Sequence, residues 1–311
     1  MRVSLLIVFT FLLILIGASG CATWSAEKKY PPIGTFVETN PARMHVVDIG
    51  PRESALPPVI LIHGASVNLR DMKMALGDEL AKTRRVIMVD RPGRGYSSRP
   101  DNGYELAAQA RLIKSVADDL GLERPVVVGQ SFGGAVALTY SLQYQDEMHG
   151  LVLLAAVSHE WPGGIAWYNK VSQWPVLGVA LRRLVIPVYG QLSAEDGIKE
   201  SFAPDEAPAN YFDRAGLPLL FRASDFKANA QDLANLKRQI IAQQSRYSEI
   251  KLPVAIITGD ADTTVSPKIH SRQLAEDIQG ADLTILPDTG HALHHAETDR
   301  IIDLIDEISQ R

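Results

Sequence analysis

One five-residue stretch, Gly129-Gln130-Ser131-Phe132-Gly133, carries the pattern G-x-S-x-G. It follows an apolar, β-branched run from Pro125 to Val128 and precedes a small-residue helical stretch that begins at Gly134. A tight turn between a strand and a helix strains the backbone of such a serine and exposes its hydroxyl, as in a nucleophile elbow. The amides at the helix N-terminus would face negative charge that develops beside it. We therefore interpret Ser131 as a nucleophile.

A serine hydroxyl is too weakly acidic to attack unaided, so it needs a base and a third group that orients the base. His291 follows the last apolar run, directly after Gly290, and precedes the C-terminal helical pattern. We take His291 as the base. His294 and His295 are expected to line the mouth of the site or to start the helix. Because no other ligands accompany these histidines at a recognisable spacing, no metal site is predicted.

The elements that must position these residues are visible as short, nearly continuous apolar runs. They cover residues 58–62, 85–89, 125–128, 151–154, 254–257 and 283–286. Such runs predict parallel strands that are covered on both faces, and residues 44–49 predict an outer antiparallel strand. The fold class expected is α/β, with a doubly wound, mostly parallel sheet.

Helical patterns separate the apolar runs. Ile113, Val116, Ala117 and Leu120 have the spacing of one helix face, and Gly121 follows as a stop. The segment from 158 to 250 breaks this alternation, because it contains many aromatic residues and prolines and no convincing strand. We predict a helical cap over residues 158–250, between two parts of one core at 35–157 and 251–311.

The chain resembles the α/β-hydrolases from about residue 35 to its C-terminus, because five motifs occur in the order of that family. They are Leu61 to Ala65, Asp90 to Ser97, the Ser131 elbow, Thr258 to Asp262, and Thr289 to His291. The resemblance implies the order serine, acid, histidine, with the acid three residues after Gly259, at Asp262. Asp260 is a second candidate that suits the capping of a turn, and the region of Glu160 is a third.

The resemblance also implies an oxyanion hole built from the amides of Phe132 and Ala65. Gly64 would allow the turn, the Ser66 hydroxyl would assist, and His63 would brace the loop rather than act as a base. The glycine-rich segment from Asp90 to Ser97 has neither the lysine of a P-loop nor the spacing of a dinucleotide fingerprint. It is interpreted as a turn that supports the active-site edge.

The resemblance implies a serine hydrolase that cleaves carboxylic esters through an acyl-enzyme on Ser131, without a cofactor. An aromatic cap over the nucleophile favours a small-molecule substrate with an apolar acyl or alcohol group. Haloalkane dehalogenases and epoxide hydrolases of this family carry aspartate at the serine position. Carbon-carbon bond hydrolases, perhydrolases, acyltransferases and aminopeptidases share the triad, so fold similarity leaves them open. A non-catalytic surface binding module is the alternative of another class.

Composition bounds the remaining possibilities. The 311 residues are 46% hydrophobic and 22% charged, which is typical of a globular protein with a large core. The net charge is −5 and no basic run stands out, so a nucleic-acid partner is not expected. A single cysteine excludes an intrachain disulfide.

The N-terminus predicts export. Arg2 precedes an apolar run from Leu5 to Ile16, and small residues lead to Cys21, as in a signal peptide over residues 1–20. The segment resembles a bacterial lipobox, with Ala18 where a branched residue is usual, which implies a lipidated Cys21, a tether over residues 21–34 and a membrane-anchored envelope protein. Ordinary cleavage that leaves Cys21 free, or a retained membrane anchor over residues 3–20, are the alternatives.

Overall fold

One eight-stranded sheet forms the centre of the computed structural model, which describes residues 2–311. The strands are β1 (Thr35–Thr39), β2 (Ala42–Ile49), β3 (Val59–Ile62), β4 (Val86–Val89), β5 (Val126–Gln130), β6 (Gly150–Leu154), β7 (Val254–Gly259) and β8 (Asp282–Leu286). Their order across the sheet is β1-β2-β4-β3-β5-β6-β7-β8. β2 is antiparallel to β1 and β4, whereas all other neighbours are parallel. The predicted α/β class with a mostly parallel sheet is confirmed.

Helices cover both faces of the sheet. They are α1 (Arg2–Lys29), α2 (Leu69–Met72), α3 (Asp78–Leu80), α4 (Leu106–Asp119), α5 (Phe132–Tyr144), α6 (Trp167–Val171), α7 (Leu177–Ala180), α8 (Ile186–Phe202), α9 (Tyr211–Arg214), α10 (Ala223–Gln243), α11 (Ser271–Asp277), α12 (Leu293–Ala296) and α13 (Thr298–Ser309). One core cluster joins α4 and α5 to the sheet, and a second joins α2 and α13 to its other face. Every residue of β3, β4 and β5 is buried, which explains the unbroken apolar sequences of β3, β4 and the first three positions of β5.

Between β6 and β7 the described chain contains helices and no strand. This segment holds α6 to α10, with a π-helical turn at Leu181–Val185 and 3-10 turns at Leu217–Phe221 and Gln244–Glu249. The insertion leaves the sheet after β6, at its carboxyl end, and returns before β7. It therefore lies on the edge of the sheet where ligands of α/β folds bind.

The segment predicted as a tether over residues 21–34 differs from that expectation in its first half. α1 continues to Lys29 and packs against the 181–185 turn, α8 and the 217–221 turn. Ala26 and Tyr30 are buried against Leu219. The reason is local: residues 21–30 contain no proline or glycine that would end a helix, and Pro31-Pro32 follow at once.

The N-terminal part of α1 is described less fully. Met1, and the side chains of residues 2–9 and 11–13, lie outside the description, and with them most of the predicted signal segment 1–20. Among the residues that are described, no helix has both the length and the apolar character needed to cross a membrane. The lone Cys21 is exposed.

Candidate active site

Ser131 occupies the turn between β5 and α5 in a strained conformation. Its φ of 54° and ψ of −115° lie outside the regions that L-residues ordinarily adopt. Close backbone contacts explain the two glycines around it. A Cβ on Gly129 would lie 2.4 Å from the carbonyl oxygen of Gly133, and one on Gly133 would lie 2.2 Å from that of Ile62. The sequence thus folds into the sharp turn that a nucleophile elbow requires.

His291 is held by a buried carboxylate. Its Nδ1 lies 2.7 Å from Oδ2 of Asp262, in the loop after β7. The other carboxylate oxygen, Oδ1, accepts hydrogen bonds of 2.8 Å from the amides of Thr264 and Val265. Because both oxygens of Asp262 are engaged, the carboxylate is fixed and so is the imidazole plane. This arrangement makes Nδ1 the donor and leaves Nε2 free to accept a proton.

The two other candidate acids lie elsewhere. Asp260 is exposed, and its Oδ1 accepts the amide hydrogen of Asp288 at 2.8 Å, as expected of a residue that caps a turn. Glu160 is also exposed, and its amide donates to Oε1 of Gln244. The structure therefore brings Asp262, and neither of the alternatives, to His291.

Ser131 and His291 line the same cavity. Within the described structure, no hydrogen bond joins the serine Oγ to the imidazole Nε2. That nitrogen lies 3.4 Å from Nε2 of Gln130, whose amide also lies 3.4 Å from the carbonyl oxygen of His291. Nucleophile-base contacts are often loose without substrate and tighten when it binds. Gln130, the variable position of the elbow, is thus a neighbour of the base that the motif alone did not reveal.

Two amides are free to bind an oxyanion beside Ser131. Phe132 begins α5, so its N–H has no acceptor within the helix. The N–H of Ala65 has no acceptor among the described residues, and Ala65 lines the cavity with Ser131. The next residue, Ser66, adopts a left-handed φ of 60° and donates its amide to Oδ1 of Asn229 at 2.8 Å. Asn229 of α10 therefore shapes the loop that presents Ala65.

The Ser66 hydroxyl, expected to assist the oxyanion, also contacts the cap. It accepts a hydrogen bond of 3.1 Å from Nδ2 of Asn229. Together with the amide contact, this bond ties the loop to the cap. No sequence signal marked Asn229, because its partner lies 163 positions away.

A buried arginine also supports the loop. Arg91 donates to the carbonyl oxygens of His63 and Gly64 at 3.0 Å, and to Asp232 of α10 at 2.7 Å. Its guanidinium also stacks over the ring of Phe132 at 4.2 Å. The segment from Asp90 to Ser97 thus supports the active-site edge, as a turn.

His63 braces the same loop as a neutral imidazole. Its Nε2 accepts the amide hydrogen of Arg91 at 3.0 Å, and its Nδ1 donates to the carbonyl oxygen of Gly64 at 2.8 Å. Complete burial, together with the charge of Arg91, lowers the pKa of His63 to about 3. A residue held neutral by two backbone partners fits the structural role that the sequence indicated.

The cavity has a volume of about 920 Å³ and extends from Ser131 into the cap. Away from the serine its wall is mostly apolar. Six of its cap residues are Leu181, Val185, Ile186, Phe221, Phe226 and Leu233. Such a wall accommodates an apolar group and excludes water from it.

Comparison with known proteins identifies the family. A model of the alpha/beta hydrolase family matches residues 59–304. The chain belongs to this family. Haloalkane dehalogenase 2 of Mycobacterium tuberculosis is 26% identical over 297 residues, which cover 89% of this chain and 95% of that protein. The 2-hydroxymuconate semialdehyde hydrolase of Pseudomonas putida is 27% identical over 290 residues, which cover 88% of this chain and 93% of that protein.

Solved structures share the fold of this hydrolase. The enol-lactonase of Burkholderia xenovorans superposes with a TM-score of 0.71 at 19% identity, over 89% of this chain and all of that one. The esterase of Exiguobacterium antarcticum gives a TM-score of 0.69 at 23% identity, over 89% of this chain and 99% of the esterase. Together with the family match, these relatives show that the chain is an enzyme of the alpha/beta hydrolase family.

A second polar cluster borders the cavity of the hydrolase. Asp71 of α2 accepts hydrogen bonds of 2.8 Å from Nε2 of both His294 and His295, and one of 2.7 Å from the hydroxyl of Tyr211. Burial alone would raise the pKa of Asp71, but the two imidazoles hold it well below its usual range. Burial lowers the pKa of His294. The cluster joins the core to α9 of the cap.

Of the described residues, Asp71, His294 and His295 are a group whose donor atoms come close enough to hold a metal ion, within 4.8 Å of one another. Sequence reasoning found only the two histidines, because the aspartate lies more than 220 positions away. In the structure both carboxylate oxygens are instead occupied by hydrogen bonds. Among the described residues the buried Nδ1 of His294 has no partner, whereas a metal-bound imidazole ordinarily donates that N–H to an acceptor.

Proposed function

We propose that this enzyme is a serine hydrolase that cleaves carboxylic esters through an acyl-enzyme on Ser131. The observation that carries the proposal is the His291–Asp262 pair, joined at 2.7 Å, on the cavity that a strained Ser131 also lines. A binding protein gains nothing from a serine held in such a backbone conformation.

In the proposed reaction, Ser131 Oγ attacks the ester carbonyl while Nε2 of His291 accepts its proton. Asp262 holds the Nδ1–H tautomer and stabilises the imidazolium that forms. The amides of Phe132 and Ala65 donate to the oxyanion of the tetrahedral intermediate. The imidazolium then protonates the leaving alcohol, and water, activated by the same base, releases the acid from the serine.

Dehalogenation by carboxylate attack does not fit this chain, although a relative bears that name. Such chemistry needs a carboxylate nucleophile, because the covalent alkyl ester must be hydrolysable. Ser131 would form a stable ether instead. Carbon-carbon bond hydrolysis is the second candidate, since the relative from Pseudomonas putida is a 2-hydroxymuconate semialdehyde hydrolase and the same triad would serve.

The cavity supports a substrate with an apolar acyl or alcohol group. About 920 Å³ is room for a drug-sized molecule, and its cap wall is apolar.

Two measurements test the proposal. A fluorophosphonate probe should label the wild-type protein on Ser131 and leave Ser131→Ala unlabelled. Chromogenic esters of increasing chain length, with a dienone substrate beside them, should then show ester turnover that Ser131→Ala abolishes. Absence of labelling in folded protein would refute the nucleophile, and turnover of the dienone alone would favour the carbon-carbon hydrolase.

We further propose that Cys21 is lipidated and that the enzyme is anchored in a bacterial cell envelope. The lipobox-like sequence and the exposure of this cysteine support that proposal. Metabolic labelling with an alkyne fatty acid should tag the wild-type chain and not Cys21→Ser. Retention of the Cys21→Ser chain in the membrane fraction, without a tag, would favour an uncleaved N-terminal anchor.

A further inference from the structure

The first half of the cap exposes an unusual amount of apolar surface. Of sixteen large apolar side chains exposed in the described structure, ten lie between residues 167 and 192. We call this surface the cap face. Its most exposed members are Trp167 at 68%, Val176 at 77% and Leu192 at 78%. A concentration of this kind marks an interaction site, since single exposed apolar residues are scattered on ordinary surfaces.

Part of the cap face is one stripe of a helix. Val185, Val188, Tyr189 and Leu192 are spaced i, i+3, i+4, i+7 along the 181–185 turn and α8, and all four are exposed. A helix of a soluble domain turns such a stripe toward its core. Here the opposite side, with Ile186, is buried instead. The stripe is therefore available to an external apolar phase.

The charge of the cap face favours an anionic partner. Between residues 167 and 192, the bounds of the cap face, the sequence has Lys170, Arg182 and Arg183 and no acidic residue, and Glu195 and Asp196 follow in α8 beyond it. Lys170 and Arg183 are exposed. Apolar residues interleaved with basic ones are the composition of segments that lie in the interface of an anionic bilayer.

The position of α1 gives the second argument. This helix carries Cys21 and the apolar N-terminal run, and it packs against the 181–185 turn and α8, two elements of the cap face. Trp24 of α1 is itself 64% exposed, and Lys28 lies over its ring. Whether lipidated or retained, an anchor on α1 would hold the cap face at the membrane surface.

The mouth of the cavity belongs to the same surface. Trp167, Tyr168, Val185 and Tyr189 line the cavity that contains Ser131, and each is also exposed on the cap face. We propose that the cap face docks on an anionic lipid bilayer and admits membrane-dissolved apolar esters to Ser131. The docking stands by itself, whereas the ester as substrate rests on the proposed function.

Fluorescence of the anchored full chain in vesicles tests the docking. Trp24→Phe removes the tryptophan of α1, which leaves Trp161, Trp167 and Trp174, all in the cap. In vesicles of anionic brominated lipid, up to about two thirds of the emission should be quenched, because two of the three tryptophans would lie at headgroup depth. Absence of quenching while the chain cosediments with the vesicles would overturn the proposal, and so would failure to cosediment.

Charge insertion provides the matched variants. In that Trp24→Phe background, the double variant Leu177→Glu/Leu192→Glu should lose the quenching, because both side chains are exposed on the cap face and neither lines the cavity. Ile241→Glu places one negative charge, against two in the double variant, on an exposed residue of α10 outside the cap face, and should keep the quenching. Equal quenching in the Trp24→Phe protein, the double variant and the Ile241→Glu variant would refute docking through the cap face. A detergent-soluble dimer dissociated by the double variant, without quenching by lipid, would assign the surface to a second copy.

Activity separates this proposal from the proposed function. The double variant should turn over a water-soluble ester at the wild-type rate and a vesicle-embedded ester about tenfold more slowly, because membrane affinity scales with buried apolar area. Equal losses on both esters would mean a damaged fold and overturn the entry route. Quenching without any ester turnover in the wild-type enzyme would refute the proposed function and leave the docking intact.

Discussion

Protonation of His63 should destabilise the fold in a defined pH window. The imidazole is fully buried, with Nε2 accepting from the Arg91 amide and Nδ1 donating to the Gly64 carbonyl. A proton on Nε2 would break the first bond and bury an uncompensated charge beside the Arg91 guanidinium. The pKa is about 3 in the folded chain, against 6.5 for an unperturbed histidine.

The direction in which the free energy of unfolding changes with pH follows from the difference between these two pKa values. Above pH 6.5 both states are neutral, and the stabilisation is complete. As the pH falls below 6.5 the unfolded chain takes up a proton that the folded chain refuses, so the free energy of unfolding falls by about 1.4 kcal/mol per pH unit. At pH 4.5 His63 alone should have removed about 3 kcal/mol.

Other groups titrate in the same window, so the test is a comparison of two proteins. Burial lowers the pKa of His270 to about 4, which adds to the loss, whereas burial raises the pKa of Asp225 to about 6, which opposes it. Asp71 and Asp90, whose pKa values are lowered, act only below about pH 4. These contributions are common to the wild-type enzyme and to His63→Gln, and cancel in their difference.

Urea unfolding at pH 8, 6.5, 5.5 and 4.5, followed by tryptophan fluorescence, gives that difference. The glutamine variant is expected to start from a lower free energy at pH 8, because its hydrogen bonds are poorer, but to lose less as the pH falls. The difference in the free energy of unfolding between the wild-type enzyme and His63→Gln should shrink by about 3 kcal/mol between pH 8 and 4.5. Two parallel curves would refute the assignment of His63 as a buried neutral brace.

Three further substitutions test the site and its supports. Asp262→Asn should lower kcat for an ester by about 10⁴ by favouring the wrong tautomer, while Asp260→Asn stays within about twofold. Asn229→Ala should lower kcat by about tenfold to a hundredfold at unchanged KM, because it frees the loop that presents the Ala65 amide, and a fall in KM as well would point to another cause. Asp71→Asn should reduce the free energy of unfolding by roughly 3 kcal/mol in urea, since it leaves buried donors unpaired; no change would contradict the role of that cluster.

The sheet could be predicted from the sequence because its interior strands are buried on both faces. Such strands need apolar side chains at every position, and residues 59–62 or 86–89 satisfy that need without interruption. β1 was missed, since Thr35–Thr39 exposes alternate residues at the edge and has only five positions. Residues 21–29, the last third of α1, were missed for a different reason: no proline or glycine ends the helix before Pro31, and the contacts of this segment with the cap leave no pattern in the sequence.

The candidate site also contains residues with a local sequence signature and residues without one. Ser131 and His291 could be proposed as site residues from the sequence because a strained turn and a loop after a strand leave a glycine signature nearby. Asp262 could only be favoured over Asp260, because both follow the same strand. The hydrogen bonds of the two carboxylates distinguish them. Asp262 accepts from the imidazole of His291, whereas Asp260 accepts from the amide of Asp288 in a turn. Contacts between distant side chains have no periodicity and leave no such signature.

In the proposed mechanism, the cap supports the chemistry as well as the cavity. α10 supplies both Asn229, which holds Ser66, and Asp232, which holds Arg91 at 2.7 Å. Both contacts hold the Ala65 loop to α10, so a displacement of α10 would disturb the amide that we propose faces the oxyanion. Since α10 packs against α6 and the 181–185 turn, the surface proposed to meet the bilayer is continuous with the helix that shapes the site. Binding at the cap face and the geometry of catalysis would then share one rigid element, in which a change at either is felt at the other.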